Sequence, residues 1–176
     1  MNADIYWITG APGPPLGIMP HPRGGEWLED EISSLRNQGV DVLVSLLTVD
    51  EVKELGLADE AAACRTLGIQ FRSFPILDRS VPDSTPAALD FVRHLSQLRL
   101  DGKTVVIHCR AGIGPSSIVA GAVLTLEDAT PTAALEMIAA ARGCHVPDTA
   151  EQVAWVQGVL AAISDCQGCD PTTKLE

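Results

Sequence analysis

The segment VVIHCRAGIGPSS, residues 105–117, carries the strongest signals for the fold and the ligand site of this chain. Three β-branched residues lead to His108 and Cys109, and a glycine-rich turn follows them. Pro115 then opens a stretch rich in Ala, Val and Leu. This order predicts a buried strand, a tight turn and a helix with proline in its first turn. In open α/β sheets, ligands bind at such turns, where strands have their carboxyl ends.

Strands and helices alternate around this segment. The predicted strands lie at 6–8, 40–47, 69–74 and 103–108. The predicted helices cover 26–38, 48–55, 59–67, 85–99, 115–127, 130–142 and a last segment from Thr149. Residues 10–25 are so rich in Gly and Pro that we expect no regular element there. The pattern predicts a single α/β domain with a central, mostly parallel sheet of four to five strands and helices on both faces. The domain is expected to span 1–173, with 174–176 as a vector-derived tail.

Composition and charge argue against several classes of function. The chain has 176 residues, of which 46% are hydrophobic and 20% charged, with a net charge of -11. Such acidity argues against nucleic acid or an anionic membrane surface as a partner. No leader and no apolar run long enough to span a bilayer is visible, so we expect a cytoplasmic protein. Five cysteines, an odd number, suit reduced thiols, and the Cys166/Cys169 pair is interpreted as incidental.

The glycine turn has the chemistry of an anion site. A helix N-terminus offers unpaired N–H groups and the positive end of the dipole. Gly112 and Gly114 allow several N–H groups to converge on a phosphate- or sulfate-like anion. The same field stabilises a thiolate at Cys109, which makes it a candidate nucleophile. The alternative is a purely structural role, in which Cys109 is a small buried hydrophobic residue. A nucleotide-binding loop is excluded because no Lys-Ser/Thr follows the glycines.

HCRAGIGPSS resembles the active-site loop of the cysteine-dependent protein tyrosine phosphatases, in particular their compact dual-specificity branch. That branch carries His-Cys, five residues, Arg and then Ser or Thr. The matching positions here are His108, Cys109, Gly112, Gly114 and Ser116. Upstream, FPILDRSVP at 74–82 is similar to the family's general-acid loop, and downstream VPDTAEQ at 146–152 is similar to a segment that carries a water-positioning glutamine.

The resemblance implies a role for each matching residue. Cys109 attacks phosphorus, Asp78 protonates the leaving group, Ser116 eases departure of the thiolate and Gln152 positions water. The phosphate is held by the loop residues Arg110, Ala111, Gly112, Ile113, Gly114 and Pro115. Neither a metal nor an organic cofactor is implied. The expected substrate is a phosphorylated protein or a small phosphoester.

Two of these assignments have rivals within the sequence. Asp78 could be an ordinary turn residue, and Asp83 is a second candidate acid, although its setting is typical of the approach to a helix cap. Gln152 stands three residues after Thr149, which is the spacing of a capping box. His108 is interpreted as the end of the strand, with a satisfied hydrogen bond, and not as a catalytic group.

Pro115 departs from the pattern, because the resemblance places the phosphate-gripping arginine there. A guanidinium binds two phosphate oxygens, whereas proline has neither a cation nor an N–H. Loss of such an arginine is expected to lower turnover by about 10³- to 10⁵-fold. Candidates to replace its charge are Arg110, Arg79, Arg23 and Arg142, although Arg110 is expected to point away from the ligand.

Three function classes stay open. The first is an impaired phosphatase, the second a pseudophosphatase that binds phosphate or phosphoprotein without turnover, and the third another thiol enzyme. The acid-like loop around Asp78 favours the first, while Pro115 favours the second.

Overall fold

The strand VVIHC lies in the middle of the sheet. In the computed structural model, which describes residues 4–167, five strands pair in the order β1-β2-β5-β3-β4. Their bounds are Tyr6–Trp7 for β1, Leu16–Pro20 for β2, Val42–Ser45 for β3, Gln70–Ser73 for β4 and Val105–Cys109 for β5. The β1–β2 pair is antiparallel and the other pairs are parallel. The predicted α/β fold with a mostly parallel sheet is therefore confirmed.

The expectation that residues 10–25 hold no regular element is wrong, because β2 lies within them. This strand pairs along the whole edge of β5, from Leu16 opposite Val105 to Pro20 opposite Cys109. Its glycine is required by packing, since a Cβ on Gly17 would lie 2.6 Å from the side chain of Ile5. Pairing with a central strand thus outweighs a composition that locally disfavours a strand.

Seven α-helices connect and cover the strands within the described range. Their bounds are Leu28–Asn37 (α1), Val49–Glu54 (α2), Glu60–Thr66 (α3), Thr85–Leu100 (α4), Pro115–Leu126 (α5), Pro131–Arg142 (α6) and Ala150–Gln167 (α7). A 3₁₀ turn at Gly25–Trp27 occupies the predicted start of α1. Side-chain caps stand at the start of α2 and of α4: Thr48 and Glu51 form a capping box at α2, and the Ser84 side chain caps α4.

The helices form a layer on each face of the sheet. Val105, Ile107 and Cys109 of β5 face the core shared with α4, α5, α6 and α7. Val106 faces the opposite core, which is shared with α1 and α3. Every residue from Pro115 to Thr125 is buried, so α5 is surrounded by protein. The turn between β5 and α5 is therefore anchored at both ends in the core.

Within the described range, no helix is long and apolar enough to cross a membrane. The side chain of Cys166, all of Cys169 and the predicted tail at 174–176 lie outside the described residues.

Candidate active site

Cys109 is the last residue of β5, and its side chain lies at the base of the glycine turn. The residue is 2% exposed. Its Sγ lies 3.3 Å from the Oγ of Ser116, which is in the first turn of α5. The structure therefore brings the predicted nucleophile and the predicted hydroxyl donor into contact.

The carbonyl groups of the turn are bonded on the side away from the expected ligand. The Arg110 carbonyl accepts from the backbone N–H of His21 at 3.4 Å. The Gly112 carbonyl accepts from Nε of Arg142 at 3.1 Å, and the Ala111 carbonyl from its Nη2 at 3.4 Å. For the N–H groups of residues 110–114, no acceptor is found in the part of the chain that the structure describes. The backbone N–H groups of the turn are therefore unpaired in the described structure, as the predicted anion nest requires.

Both glycines of the turn are closely surrounded, and Gly112 is required because its neighbours are backbone atoms. Gly112 has a φ of +68°, and a Cβ there would lie 2.5 Å from the carbonyl carbon of Met19. A Cβ on Gly114 would lie 2.5 Å from Oδ2 of Asp148 and 3.0 Å from Nε2 of Gln152. The turn is thus clamped between the end of β2 and the start of α7.

Pro115 is the first residue of α5 and is buried. A missing N–H has little consequence at this helical position, which confirms that proline fits the fold. The position of the expected arginine nevertheless carries neither charge nor donor.

Two of the candidate replacement cations are already paired. The Arg110 guanidinium makes two hydrogen bonds to Glu54, at 2.7 and 3.1 Å, so its charge is balanced by a carboxylate of α2. Its orientation away from a ligand stays a prediction. This pairing raises the pKa of Arg110 and lowers the pKa of the Glu54 carboxyl. Arg23 is held by Glu31 at 2.6 Å.

Asp78 and Arg79 lie in an exposed turn closed by the Ser80 N–H, which donates to the Leu77 carbonyl at 2.9 Å. The negative charge of Asp78 adds to the raised pKa of Arg110, after the larger effects of Glu54 and Glu51, and the role of Asp78 as the acid stays a prediction. Arg79 has a φ of +60° and forms no hydrogen bond or ion pair with another described residue. The Arg79 guanidinium, next in sequence to the predicted acid, is therefore available to bind a ligand.

The rival acid Asp83 is exposed and stands immediately before Ser84, the cap of α4. Asp78 stays the predicted acid, with Asp83 as its rival.

Gln152 is fully buried and links the start of α7 to the acid loop. Its Nε2 donates to the Ser80 carbonyl at 2.8 Å, and its Oε1 accepts from the Asp148 N–H at 3.1 Å. The predicted capping box is half formed: Thr149 Oγ1 accepts from the Gln152 N–H, but the Gln152 side chain does not return to Thr149. Water positioning by Gln152 stays a prediction.

A buried polar cluster behind the turn was not foreseen in the sequence. Nε2 of His108 lies 3.0 Å from Oε1 of Glu60, and both side chains are almost fully buried. The two atoms are not aligned as a hydrogen bond, and in the described range neither His108 Nδ1 nor Ser45 Oγ has a partner. The expected satisfied hydrogen bond of His108 is thus absent among the described residues, and a close contact with the Glu60 carboxyl group stands in its place. Nothing in the alanine-rich sequence of α3 signals that Glu60 is buried.

No group of three or more His, Cys, Asp or Glu side chains within the described range is placed to hold a metal ion. The residues that the structure brings together are the thiol of Cys109, the hydroxyl of Ser116 and the unpaired backbone N–H groups of the turn. A thiol beside backbone donors has the chemistry to attack a bound oxyanion.

Solved structures of phosphatases share this fold. Kinase associated phosphatase, with its catalytic cysteine substituted by serine, matches with a TM-score of 0.81 at 17% identity, covering 93% of this chain and 97% of that one. Tk-PTP in its active form matches with a TM-score of 0.68 at 23% identity, covering 92% and 96%. The human tyrosine phosphatase-like serine/threonine/tyrosine-interacting protein matches with a TM-score of 0.64 at 17% identity, covering 85% and 93%. At these identities the likeness establishes the fold.

The family itself is established by a sequence match. The family described as "Tc-R-P: Polymorphic toxin system, DSP-PTPase phosphatase" matches residues 17–129, which is more than half of the chain and includes Cys109 and the glycine turn. The central strand, the turn and the buried helix all fall within the match. The chain belongs to this family of dual-specificity-type phosphatases.

Proposed function

We propose that the chain hydrolyses phosphoric monoesters through a thiophosphate intermediate on Cys109, at a rate much reduced by Pro115. One observation carries the proposal: Sγ of Cys109 lies 3.3 Å from Ser116 Oγ, at the base of a turn whose carbonyl groups are bonded outward. The substrate is a phosphorylated protein or a small phosphoester. Because the nucleophile is a thiolate, a reducing compartment such as the cytoplasm suits the reaction.

In the first step the phosphoryl group lies in the nest formed by residues 110–114. The Cys109 thiolate attacks phosphorus, so that an S–P bond forms while the bond to the ester oxygen breaks. The leaving oxygen takes the electron pair of that bond and receives a proton from the Asp78 carboxyl. The alcohol or phenol departs, and the phosphoryl group stays on sulfur.

In the second step water attacks phosphorus, and the Asp78 carboxylate accepts a proton from it. The S–P bond breaks, and its electron pair returns to sulfur. The Ser116 hydroxyl donates a hydrogen bond to the departing thiolate, which stabilises its charge. Inorganic phosphate leaves, and no metal or organic cofactor takes part.

Pro115 supports a second candidate, a pseudophosphatase that binds a phosphate group without turnover. The backbone donors of the nest are kept, whereas the cation that follows the charge of the transition state is missing. Binding therefore depends less on the missing arginine than catalysis does. The acid loop argues for catalysis, since binding alone requires no acid at Asp78.

The test is steady-state hydrolysis of an aryl phosphate by the parent, Pro115→Arg, and Cys109→Ser in the Pro115→Arg background. We expect Pro115→Arg to raise turnover by about 10³- to 10⁵-fold, and Cys109→Ser to abolish it. Pro115→Met is the matched control, because it restores the backbone N–H without the guanidinium and should recover only a small part of the rate.

Two outcomes separate the candidates. A folded Pro115→Arg protein that is as inert as the parent refutes the phosphatase proposal and favours the binding module. Residual turnover of the parent that falls in Arg79→Ala shows that this uncommitted arginine supplies part of the missing charge. Unchanged turnover in Arg79→Ala removes that explanation.

A further inference from the structure

One guanidinium lies directly behind the glycine turn. Arg142 is the last residue of α6, and it reaches the turn across 30 residues of sequence. Its Nε donates to the Gly112 carbonyl at 3.1 Å and its Nη2 to the Ala111 carbonyl at 3.4 Å. A planar guanidinium can bind two neighbouring acceptors at once, which a flexible ammonium group does less well. The side chain therefore holds two consecutive peptide groups of the nest in one orientation.

The orientation of these peptide groups matters for the anion site. Holding a carbonyl on one side of the backbone turns the next N–H toward the other side. The Ala111 and Gly112 carbonyls belong to the peptide groups that carry the N–H of Gly112 and Ile113. Arg142 thus fixes two of the donors that would contact the anion.

The charge of Arg142 is not neutralised by a nearby carboxylate. Unlike Arg110 and Arg23, it forms no ion pair with another described residue. Its Cζ instead lies 4.1 Å from the centre of the Tyr6 ring, in a cation–π contact. A cation at the C-terminal end of a helix is also favoured by the helix dipole. Arg142 therefore keeps its positive charge beside the nest of a protein with net charge -11.

We propose that Arg142 is a positioning residue of the proposed phosphate site, which orders the nest from behind and supplies it with positive potential. It does not touch the substrate, because its guanidinium is bonded to the carbonyl side of the turn. Part of the charge lost at Pro115 is thereby retained at a second place. This inference rests on the proposed anion site, but its test does not need turnover.

The test measures alkylation of Cys109 by iodoacetamide, read by peptide mass spectrometry, as a function of pH. Inorganic tungstate is then added as an oxyanion that protects Cys109. The proteins are the parent, Arg142→Gln, Arg142→Lys and Arg36→Gln. Arg36 is the matched control, because it is an exposed arginine in the last turn of α1 that pairs with Asp41. Asp41 directly precedes β3, which runs parallel to β5, so Arg36 lies at the amino ends of these strands, whereas the turn lies at their carboxyl ends.

In Arg142→Gln we expect alkylation at a mildly acidic pH to slow about tenfold, the size expected for one nearby charge at the dielectric of a protein surface. Protection should need about tenfold more tungstate, for the same reason. Arg142→Lys should recover most of the alkylation rate, since charge is kept, but less of the tungstate protection, since the paired donors are lost. Arg36→Gln should match the parent in both measurements.

An Arg142→Gln protein that folds and matches the parent in both measurements overturns the proposal. If Arg142→Gln fails to fold, Arg142→Lys decides, because tungstate protection equal to the parent's refutes the ordering role. A failure of the proposed function looks different. In that case Pro115→Arg is inert, while the response of Cys109 to Arg142→Gln still reports on the positioning role.

Discussion

Replacing Gly112 with alanine tests whether the turn is held against the end of β2. A Cβ at this position would lie 2.5 Å from the carbonyl carbon of Met19 and 2.6 Å from the nitrogen of Pro20. Both are backbone atoms of a paired strand, so the strand or the turn must move to relieve the contact. The φ of +68° adds a second cost, because an L-residue is unfavourable in the left-handed region.

The magnitude follows from these two terms. The left-handed backbone costs about 1–2 kcal/mol for alanine, and the forced contact costs about 1–3 kcal/mol. The lower entropy of the unfolded alanine chain offsets about 0.4–1 kcal/mol. We therefore expect Gly112→Ala to lower the free energy of unfolding by about 1–5 kcal/mol. Urea denaturation of the parent and the variant measures this difference.

Gly68→Ala isolates the contact from the backbone term. Gly68 has a φ of +72°, and a Cβ there would meet nothing within 4 Å. The two variants share the cost of the left-handed conformation, so Gly112→Ala should be less stable than Gly68→Ala by about 1–3 kcal/mol. Equal losses of stability in the two variants would refute the close packing of the turn on β2.

Two further predictions concern buried groups on the other face of the sheet. Glu60→Ala should lower the free energy of unfolding by about 1–3 kcal/mol, because it leaves the buried His108 without its nearest polar group. Glu60→Ala combined with His108→Leu should lose less than the two single changes added together, and an additive result in urea denaturation would contradict the coupling. Burial raises the pKa of the Cys64 thiol to about 12, so this residue should resist a thiol reagent at neutral pH while the exposed Cys144 reacts. Peptide mapping after brief labelling measures both cysteines, and labelling of Cys64 in the folded protein would show that the residue is accessible.

The local rules of sequence explain why the fold and the turn were predictable. A β-branched run, two glycines and a proline at the start of a helix each constrain a few neighbouring residues, and they point to one arrangement. The caps at Thr48 and Ser84 are likewise contacts between residues three positions apart. By contrast, β2 was missed because its stability comes from pairing with β5, about ninety residues away along the chain.

The contacts around the site are long-range, and no local signal announces them. Gln152 bonds to Ser80 across 72 residues, and Arg142 bonds to Gly112 across 30. Glu60 reads as an ordinary first-turn acid of a short helix, yet it lies against His108 in the core. Gln152 and Arg142 were both named as candidates from the sequence, but their contacts with Ser80 and Gly112 were not predictable from it.

Pro115 and Arg142 together determine how much positive charge the site offers to a phosphate group. Pro115 removes a cation that would contact the ligand, and Arg142 keeps one that contacts the carbonyl side of the turn. A charge behind the nest acts on any bound oxyanion and on the Cys109 sulfur, but it cannot follow the movement of charge during phosphoryl transfer as a bidentate ligand does. Such an arrangement supports binding of the phosphate group more than its transfer. If the two residues divide the roles in this way, Pro115→Arg should raise turnover by a larger factor than it raises affinity for an oxyanion. Equal factors for turnover and affinity would contradict this division.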